Sequence, residues 1–512
     1  MLFNSYVFVF LFFPICLIGY YALIHWKKKE LAQLFLTSMS LWFYGYFQVN
    51  YLLIMLASIF VNYLFHKILS KNLSQKAAKG TVIAAVAANL GILFYFKYFD
   101  FFLSNINAVF GADFLLRSIV LPLGISFFTF QQIGFVVDTY RGEVKNCKFL
   151  EYVLFVSFFP QLIAGPIVSQ SEMLPQFATM TERKFDWEQF AKGFILFVLG
   201  LFKKVILADT LGAGVDFGYN NLETLGSLDA LLVMFAYTLH LYFDFSGYCD
   251  MARGIGSMLG IEIPVNFNSP YKAVNIIDFW KRWHITLNRF FTKYVYIPLG
   301  GNRKGEMRTY LNFLLVFLLS GIWHGAGWNY VVWGMLHGVL YVLTKWWQNH
   351  FGKRGAEKID VTNMSDTEKV TPVSMIAKWA KKWLSRIALF LYVSVAWVYF
   401  RAADIAQANK MLGTIVGGKI QKLSMDLAEC FELDEFWYVL KVLHLDAMSY
   451  SRYILMFVML IVSFYLAMVS RNASEIADRA KGKTISAMFI GAVFVWCVLS
   501  FSQVSTFLYF NF

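Results

Sequence analysis

The chain has 512 residues, 58% of them hydrophobic and 15% charged, with a mean hydropathy of +0.55. Soluble chains carry roughly 45–50% apolar and about 25% charged residues, so an ordinary soluble enzyme, a disordered chain and a fibrous repeat are excluded and a multi-pass membrane protein remains. The net charge of +13 fits Lys and Arg retained in cytoplasmic loops, and no nucleic-acid partner is expected.

Tyr6–His25 is an apolar run of 20 residues without Lys, Arg, Asp or Glu, enough to cross about 30 Å of hydrocarbon as a helix. No basic stretch precedes it and no small-residue cleavage site follows. Lys27, Lys28 and Lys29 follow instead, so it reads as a span with its N-terminus outside rather than a removed signal. Leu31–Gln48 and Tyr51–Phe65 form the next two spans. Lys67, Lys71, Lys76 and Lys79 hold the following loop inside, and Thr81–Phe96 returns.

Phe149–Ile163, Phe194–Ala208 and Ala230–Phe243 can each span, the first weakened by Glu151 and Pro160. Leu121–Gly124 and Ala164–Pro166 interrupt apolar sequence with Gly and Pro. Such breaks suggest re-entrant helices around a cavity, because freed backbone groups must be covered by protein or water. Further spans are expected at Tyr310–Ile322, Tyr330–Leu343, Ile387–Phe400, Tyr453–Val469 and Thr484–Leu499. Lys345–Arg386, with Lys353, Arg354, Lys358, Lys369, Lys378, Lys381 and Lys382 and no apolar periodicity before Ile376, reads as cytoplasmic. Arg401–Arg452, with Glu429, Glu432, Asp434, Glu435 and Asp446, reads as extracytoplasmic. At roughly 20 residues each, ten to twelve spans are expected.

The fold class is an all-α integral membrane protein forming one membrane domain over 1–512. N-terminal hairpins occupy 1–100, the core 101–345, a cytoplasmic loop 346–385 and C-terminal helices 386–512, the last with an extracytoplasmic segment around 401–452. The five cysteines (Cys16, Cys147, Cys249, Cys430, Cys497) are scattered, without CxxC or zinc spacing, and no metal is expected.

Four clusters break the apolar rule, and ionisable residues inside spans are functional candidates by default. In Ser320–Trp328 (SGIWHGAGW), His324 joins two apolar runs between Gly321, Gly325 and Gly327. A histidine can take and return a proton at neutral pH, glycines admit a substrate to the backbone, and Trp323 and Trp328 are expected as walls. The alternative is a helix-end histidine bonded to a carbonyl. Asp278–Leu287 (DFWKRWHITL), running on to Asn302 and Arg303, reads as an interfacial helix. Asp278 and Arg282 share one face, and His284 either orients a substrate or bonds a neighbour. Tyr242–Arg253 (YFDFSGYCDMAR) puts Asp244 and Asp250 in or beside a span with Ser246, Tyr248 and Arg253 as partners; a structural Asp250–Arg253 pair is the alternative. Ser126, Thr129, Gln131, Gln132 and Gln161 either line a polar tunnel or make interhelical hydrogen bonds. No GxSxG elbow, P-loop, HExxH or dinucleotide fingerprint is present.

WHG at Trp323–Gly325, with FWKRWHITL 40 positions upstream, resembles the membrane-bound O-acyltransferase (MBOAT) family, nearest its bacterial alginate and polysaccharide O-acetylation branch. LPLGISFFTF (Leu121–Phe130), DTYRG (Asp138–Gly142), LIAGP (Leu162–Pro166), LYFDFSGYCDM (Leu241–Met251), NFNSPY (Asn266–Tyr271), YIPLGGNR (Tyr296–Arg303) and FRAA (Phe400–Ala403) support it in order. Cys249 and Lys281 depart from the Ser and Arg usual in that branch, and the stretch beyond Ala403 matches least. The resemblance implies about eleven transmembrane helices plus re-entrant and interfacial ones, with a funnel and tunnel meeting at the histidine. It implies that His324 is the catalytic histidine and His284 the second active-site histidine. Asp244, Ser246, Asp250, Trp323, Gln132, Gln161, Asn302 and Arg303 stand as substrate-binding or orienting candidates.

The expected activity is transfer of an acetyl group from a cytoplasmic thioester for O-acetylation of an extracytoplasmic polysaccharide, alginate-like or peptidoglycan. The implied donor is acetyl-CoA, with no permanently bound cofactor, and the implied partner an extracytoplasmic SGNH-type transferase. The implied location is the bacterial cytoplasmic (inner) membrane. D-alanyl transfer to teichoic acid is a rival within the family. A membrane transporter is a second rival, weakened because no inverted repeat is visible.

Overall fold

In lipid every backbone N–H and C=O must be satisfied within the protein, which leaves helices as the simplest solution for an apolar chain. The computed structural model describes the chain except residues 47, 145, 352–371, 434, 436–437, 439–440, 445–449, 481–483, 504–506 and 509–512, and no strand occurs among the described residues. Six described helices are long and apolar enough to cross a membrane: Phe8–His25, Val49–Leu69, Gln75–Phe110, Ser227–Met258, Met375–Arg401 and Ser451–Met468. That is fewer than the ten to twelve spans expected, because several of the expected segments form helices that are too short or too charged for that measure. Lys29–Gly45 opens on Lys29 and Glu30, and Glu306–His324 carries Glu306 and Arg308.

Several expected boundaries move. The return span Thr81–Phe96 belongs to the 36-residue Gln75–Phe110, because no proline intervenes before Gly111 stops it in the left-handed region (φ +63°). Phe149–Ile163 is two short buried helices, Phe149–Ser157 and Phe159–Leu162, divided just before Pro160, whose missing N–H cannot continue the ladder. Ile125–Tyr140, absent from the expected spans, is a continuous and almost wholly buried helix. It starts at Gly124 (φ +71°), where a Cβ would stand 2.9 Å from the Leu162 carbonyl oxygen. The helix ending at Arg401 begins at Pro372, inside the segment read as irregular up to Ile376. Lys353, Arg354, Lys358, Lys369, Asp434 and Asp446 lie outside the described residues.

Contacts divide the chain into two units. The first comprises Met1–Asp209, Leu241–Asn266 and Asn472–Phe512; the second comprises Thr210–His240 and Phe267–Arg471. The first unit has an aromatic core in which Phe8, Phe12, Phe43 and Phe159 stack or meet edge-on at 5.3–6.2 Å. Its buried amides tie helices together: Asn62 and Asn89 exchange hydrogen bonds, and Gln132 donates to Ser58 Oγ (3.0 Å) and accepts from the Tyr152 hydroxyl (3.1 Å). Trp187–Leu201 crosses the Leu241–Met258 stretch at glycines: a Cβ on Gly200 would lie 2.6 Å from the Gly247 carbonyl oxygen. That approach sets Lys203 and Lys204, on the π-helical turn Phe202–Ala208, against the carboxylates of the crossing helix.

The second unit is organised on the hairpin of Glu306–His324 and Trp328–His350. Here too a glycine pair permits the crossing. A Cβ on Gly321 would stand 2.4 Å from the Tyr330 carbonyl oxygen, and one on Gly334 would stand 2.5 Å from that of Phe317. Backbone cannot yield as a flexible side chain does, so Gly321→Ala is expected to lower stability by about 1–3 kcal/mol. The thermal unfolding midpoint of the detergent-purified protein checks this; an unchanged midpoint would mean the two helices can separate at no cost.

Candidate active site

His324 is the last residue of Glu306–His324. Gly325 continues in an extended conformation (φ −161°, ψ 154°), and a Cβ there would lie 2.1 Å from the Tyr330 ring, so the turn that presents the histidine has room only for glycine. The imidazole is 3% exposed. Trp323 (ring centroids 4.8 Å), Trp333 (5.1 Å) and Phe400 (5.2 Å) surround it, all three edge-on. Phe400 is held in place by its neighbours. Asn329 donates to the carbonyls of Ala402 (2.8 Å) and Tyr399 (3.2 Å), and Arg401 pairs with Asp216 at 2.6 Å.

His284 belongs to the other motif and arrives at the same place. It caps Ile285–Phe291 at φ +45°, a backbone conformation that a non-glycine residue adopts at a cost, which the surrounding packing must sustain. It is fully buried, and burial pushes its imidazole down to about 3, so it is neutral at physiological pH. Its ring centroid lies 6.4 Å from that of His324 and 6.3 Å from that of Trp323. The turn that leads to it is fixed by the expected Asp278–Arg282 pair, observed at 2.8 Å, with Arg282 also donating to the Asn268 carbonyl. Two imidazoles side by side in an aromatic enclosure can hold a hydroxyl, take its proton and exclude bulk water.

The structure therefore brings His284, His324 and Trp323 together. Trp328, expected as a wall, is instead 57% exposed, because it starts the next helix beyond Gly327 and points away from the packed face. Trp333 and Phe400 occupy the wall positions. Sequence reasoning also missed His337, which is fully buried with its ring 5.1 Å from that of Trp333. The available signal was the i, i+4 spacing of Trp333 and His337, which puts both on one helix face. Asn302 and Arg303 lie in an exposed turn.

Asp244, Ser246, Asp250, Gln132 and Gln161 belong to the first unit. Lys204, with a side chain 0% exposed, sits 2.7 Å from both Asp209 and Asp244, and the Leu508 amide donates to Asp244 at 3.1 Å. Asp250 meets Lys203 at 2.6 Å and Arg253 at 3.7 Å, so the Asp250–Arg253 pair of the alternative reading is present, with the lysine as the nearer partner. Gln161 donates to the Phe155 carbonyl at 2.9 Å, as does Gln131.

Comparison with known proteins gives a consistent picture. The family model described as MBOAT, membrane-bound O-acyltransferase family, matches residues 40–356. A peptidoglycan O-acetyltransferase of Helicobacter pylori is 37% identical, covering 100% of this chain and 98% of that protein. A probable alginate O-acetylase of Pseudomonas putida is 37% identical over 81% of this chain and 80% of that protein. A teichoic acid D-alanyltransferase of Streptococcus thermophilus is 28% identical over 45% of this chain and 58% of that protein.

Proposed function

Because this chain belongs to the membrane-bound O-acyltransferase family and is an acyltransferase of the membrane, we propose that it moves acetyl groups from a cytoplasmic thioester, acetyl-CoA, to the outer face of the bacterial cytoplasmic membrane for O-acetylation of peptidoglycan. The observation that carries this reading is the buried His284–His324 pair, enclosed by Trp323, Trp333 and Phe400. The choice of peptidoglycan over alginate rests on the full-length correspondence with the Helicobacter protein, against about four-fifths for the alginate proteins. D-alanyl transfer is disfavoured by the lower identity and partial coverage of that relative.

His324 acts as general base. It removes the proton from an acceptor hydroxyl as the oxygen attacks the thioester carbonyl carbon. The tetrahedral adduct then expels the thiolate, which takes the proton from the imidazolium, so the products are an O-acetyl ester and free thiol. His284, kept neutral by burial, orients the hydroxyl or the carbonyl beside it. The acceptor hydroxyl belongs to an extracytoplasmic SGNH-type transferase, which passes the acetyl group on to the polymer. Asp244, Ser246, Asp250, Trp323, Gln132, Gln161, Asn302 and Arg303 remain orienting candidates within this reading.

The test is to delete the gene and feed cells labelled acetate. Wall material from the parent strain is expected to release labelled acetate on mild alkali, and the deletion strain is expected to lose that label. Release of D-alanine instead, or label confined to an exopolysaccharide, would overturn the donor group or the polymer respectively.

A further inference from the structure

A cleft of about 610 Å³ lies within the first unit, lined by the start of Trp187–Leu201, the end of Ser227–Met258 and the turn that follows it. Its level in the bilayer is set by its neighbours. Tyr21 lies near the end of the first span, just before Lys27, Lys28 and Lys29, which mark the cytoplasmic side by charge bias. It packs edge-on against Phe185 at 4.8 Å, and its hydroxyl donates to the Met258 carbonyl at 2.9 Å. Phe185 in turn meets Trp187 at 4.7 Å, and Trp187 is 76% exposed. Tyr and Trp collect where hydrocarbon gives way to headgroups, so both helix ends stand at headgroup level on that side.

From that level the lining runs into the bilayer in a fixed order. Glu188 stands at the start of one helix, and Glu262 follows the end of the other. Lys192 is one turn deeper than Glu188, about 6 Å along the axis, and Arg253 lies inward of the Met258 end of its helix. Leu196 is a further turn in, with Ile263 adding apolar wall. The cations are incompletely neutralised. Lys192 pairs with Asp478 at 2.5 Å. Arg253 donates to the uncharged Ser474 hydroxyl at 2.7 Å, and the carboxylate beside it, Asp250 at 3.7 Å, is held more closely by Lys203 at 2.6 Å. Its Nε is buried with no hydrogen-bond partner among the described residues. One carboxylate between two cations leaves positive charge at this depth, and a buried guanidinium donor calls for an acceptor.

We propose that this cleft binds a phospholipid of the cytoplasmic leaflet whose headgroup is an aminoalkyl phosphate, as in phosphatidylethanolamine. Such a lipid presents its groups in the same sequence along the membrane normal: acyl ester innermost, phosphate next, primary ammonium toward the cytosol. The phosphate lies against Arg253 and Lys192, the ammonium against Glu188 and Glu262, and the ester region against Leu196 and Ile263. Both signs of charge are needed for this match, since a purely anionic lipid satisfies the cations but meets the acids uncompensated. The volume falls within the roughly 300–1,000 Å³ of small-molecule sites. The proposal is independent of the acyl donor and of the polymer, and it assigns to the cytoplasmic leaflet a ligand that ties Trp187–Leu201 to the end of Ser227–Met258.

Native mass spectrometry of the full-length, delipidated protein in detergent tests this, with short-chain phosphatidylethanolamine, phosphatidylglycerol and soluble O-phosphoethanolamine as probes. The parent is expected to bind phosphatidylethanolamine about tenfold or more tightly than phosphatidylglycerol. Arg253→Gln, which keeps a donor for Ser474 but removes the charge, is expected to weaken phosphatidylethanolamine by about tenfold or more. The double variant Glu188→Gln with Glu262→Gln changes only exposed side chains. It is expected to bring phosphatidylethanolamine down to the level of phosphatidylglycerol while leaving phosphatidylglycerol no weaker, and this readout stands by itself if Arg253→Gln does not fold. Equal affinity of the parent for the two lipids, or an unchanged preference in the double variant, would overturn the reading of the ammonium. Unchanged binding by a folded Arg253→Gln protein would overturn the phosphate assignment. Soluble O-phosphoethanolamine displacing the lipid at equal concentration would make the ligand a free phosphate ester and overturn the assignment to the bilayer.

Discussion

Replacing His324 with alanine is expected to lower acetyl transfer by about 10²- to 10⁴-fold, the usual contribution of a positioned general base. The chain should still fold, since the ring is held by aromatic neighbours whose packing among themselves survives: Trp333 with Trp397 at 5.4 Å and Phe400 with Trp397 at 5.2 Å. The measurement is alkali-labile acetate per unit of protein in the membrane, with the unfolding midpoint recorded on the same preparation. Wild-type ester levels in a folded His324→Ala protein would remove this histidine from the chemistry. His284 needs a different substitution. Its φ of +45° makes alanine a change of both backbone strain and side chain, whereas asparagine tolerates the left-handed region. His284→Asn is therefore the variant whose activity reports on the imidazole.

Lys204→Met is expected to destabilise the protein by about 3–5 kcal/mol, the range seen when one partner of a buried ion pair is removed. The lysine side chain is wholly buried and 2.7 Å from each of two carboxylates, so its loss leaves Asp209 and Asp244 facing each other's charge in a low-dielectric interior. Removing the charges together should recover most of the loss: Lys204→Met combined with Asp209→Asn and Asp244→Asn should unfold closer to the parent than the single variant does. Membrane yield and the thermal unfolding midpoint check both statements. A single variant as stable as the parent would mean that water reaches the cluster. The comparison also bears on Asp244 as a site residue. If the triple variant folds and still transfers acetyl groups, its carboxylate serves the structure rather than the substrate.

The parts of the site legible beforehand were those where one local pattern has one physical reading. His324 stood out because glycines on both sides of a histidine between apolar runs have few explanations other than close approach. Asp278 and Arg282 were readable because four residues is one helical turn, and they do pair. Lys203 and Lys204 were not readable in that way. They sit inside an apolar stretch expected to span, and their partners Asp244 and Asp250 are met only because Gly200 and Gly247 let two helices touch. Gln132 and Gln161 look alike whether they line a tunnel or bind helices. Their donors go to Ser58 and to the Phe155 carbonyl, which the sequence does not place nearby.

By itself the sequence determined the solvent and the class. An apolar, aromatic and weakly charged chain of this length must satisfy its backbone with helices in a bilayer, and its motif strings carry the family. Only the tertiary structure decided that His284 and His324 stand with their rings 6.4 Å apart, that Trp333 and Phe400 rather than Trp328 wall them, and that His337 lies behind that wall. The reason is that spacing along a helix fixes a face within one turn, whereas the meeting of faces from separate helices depends on where small residues allow backbones to approach, a property of the packed whole.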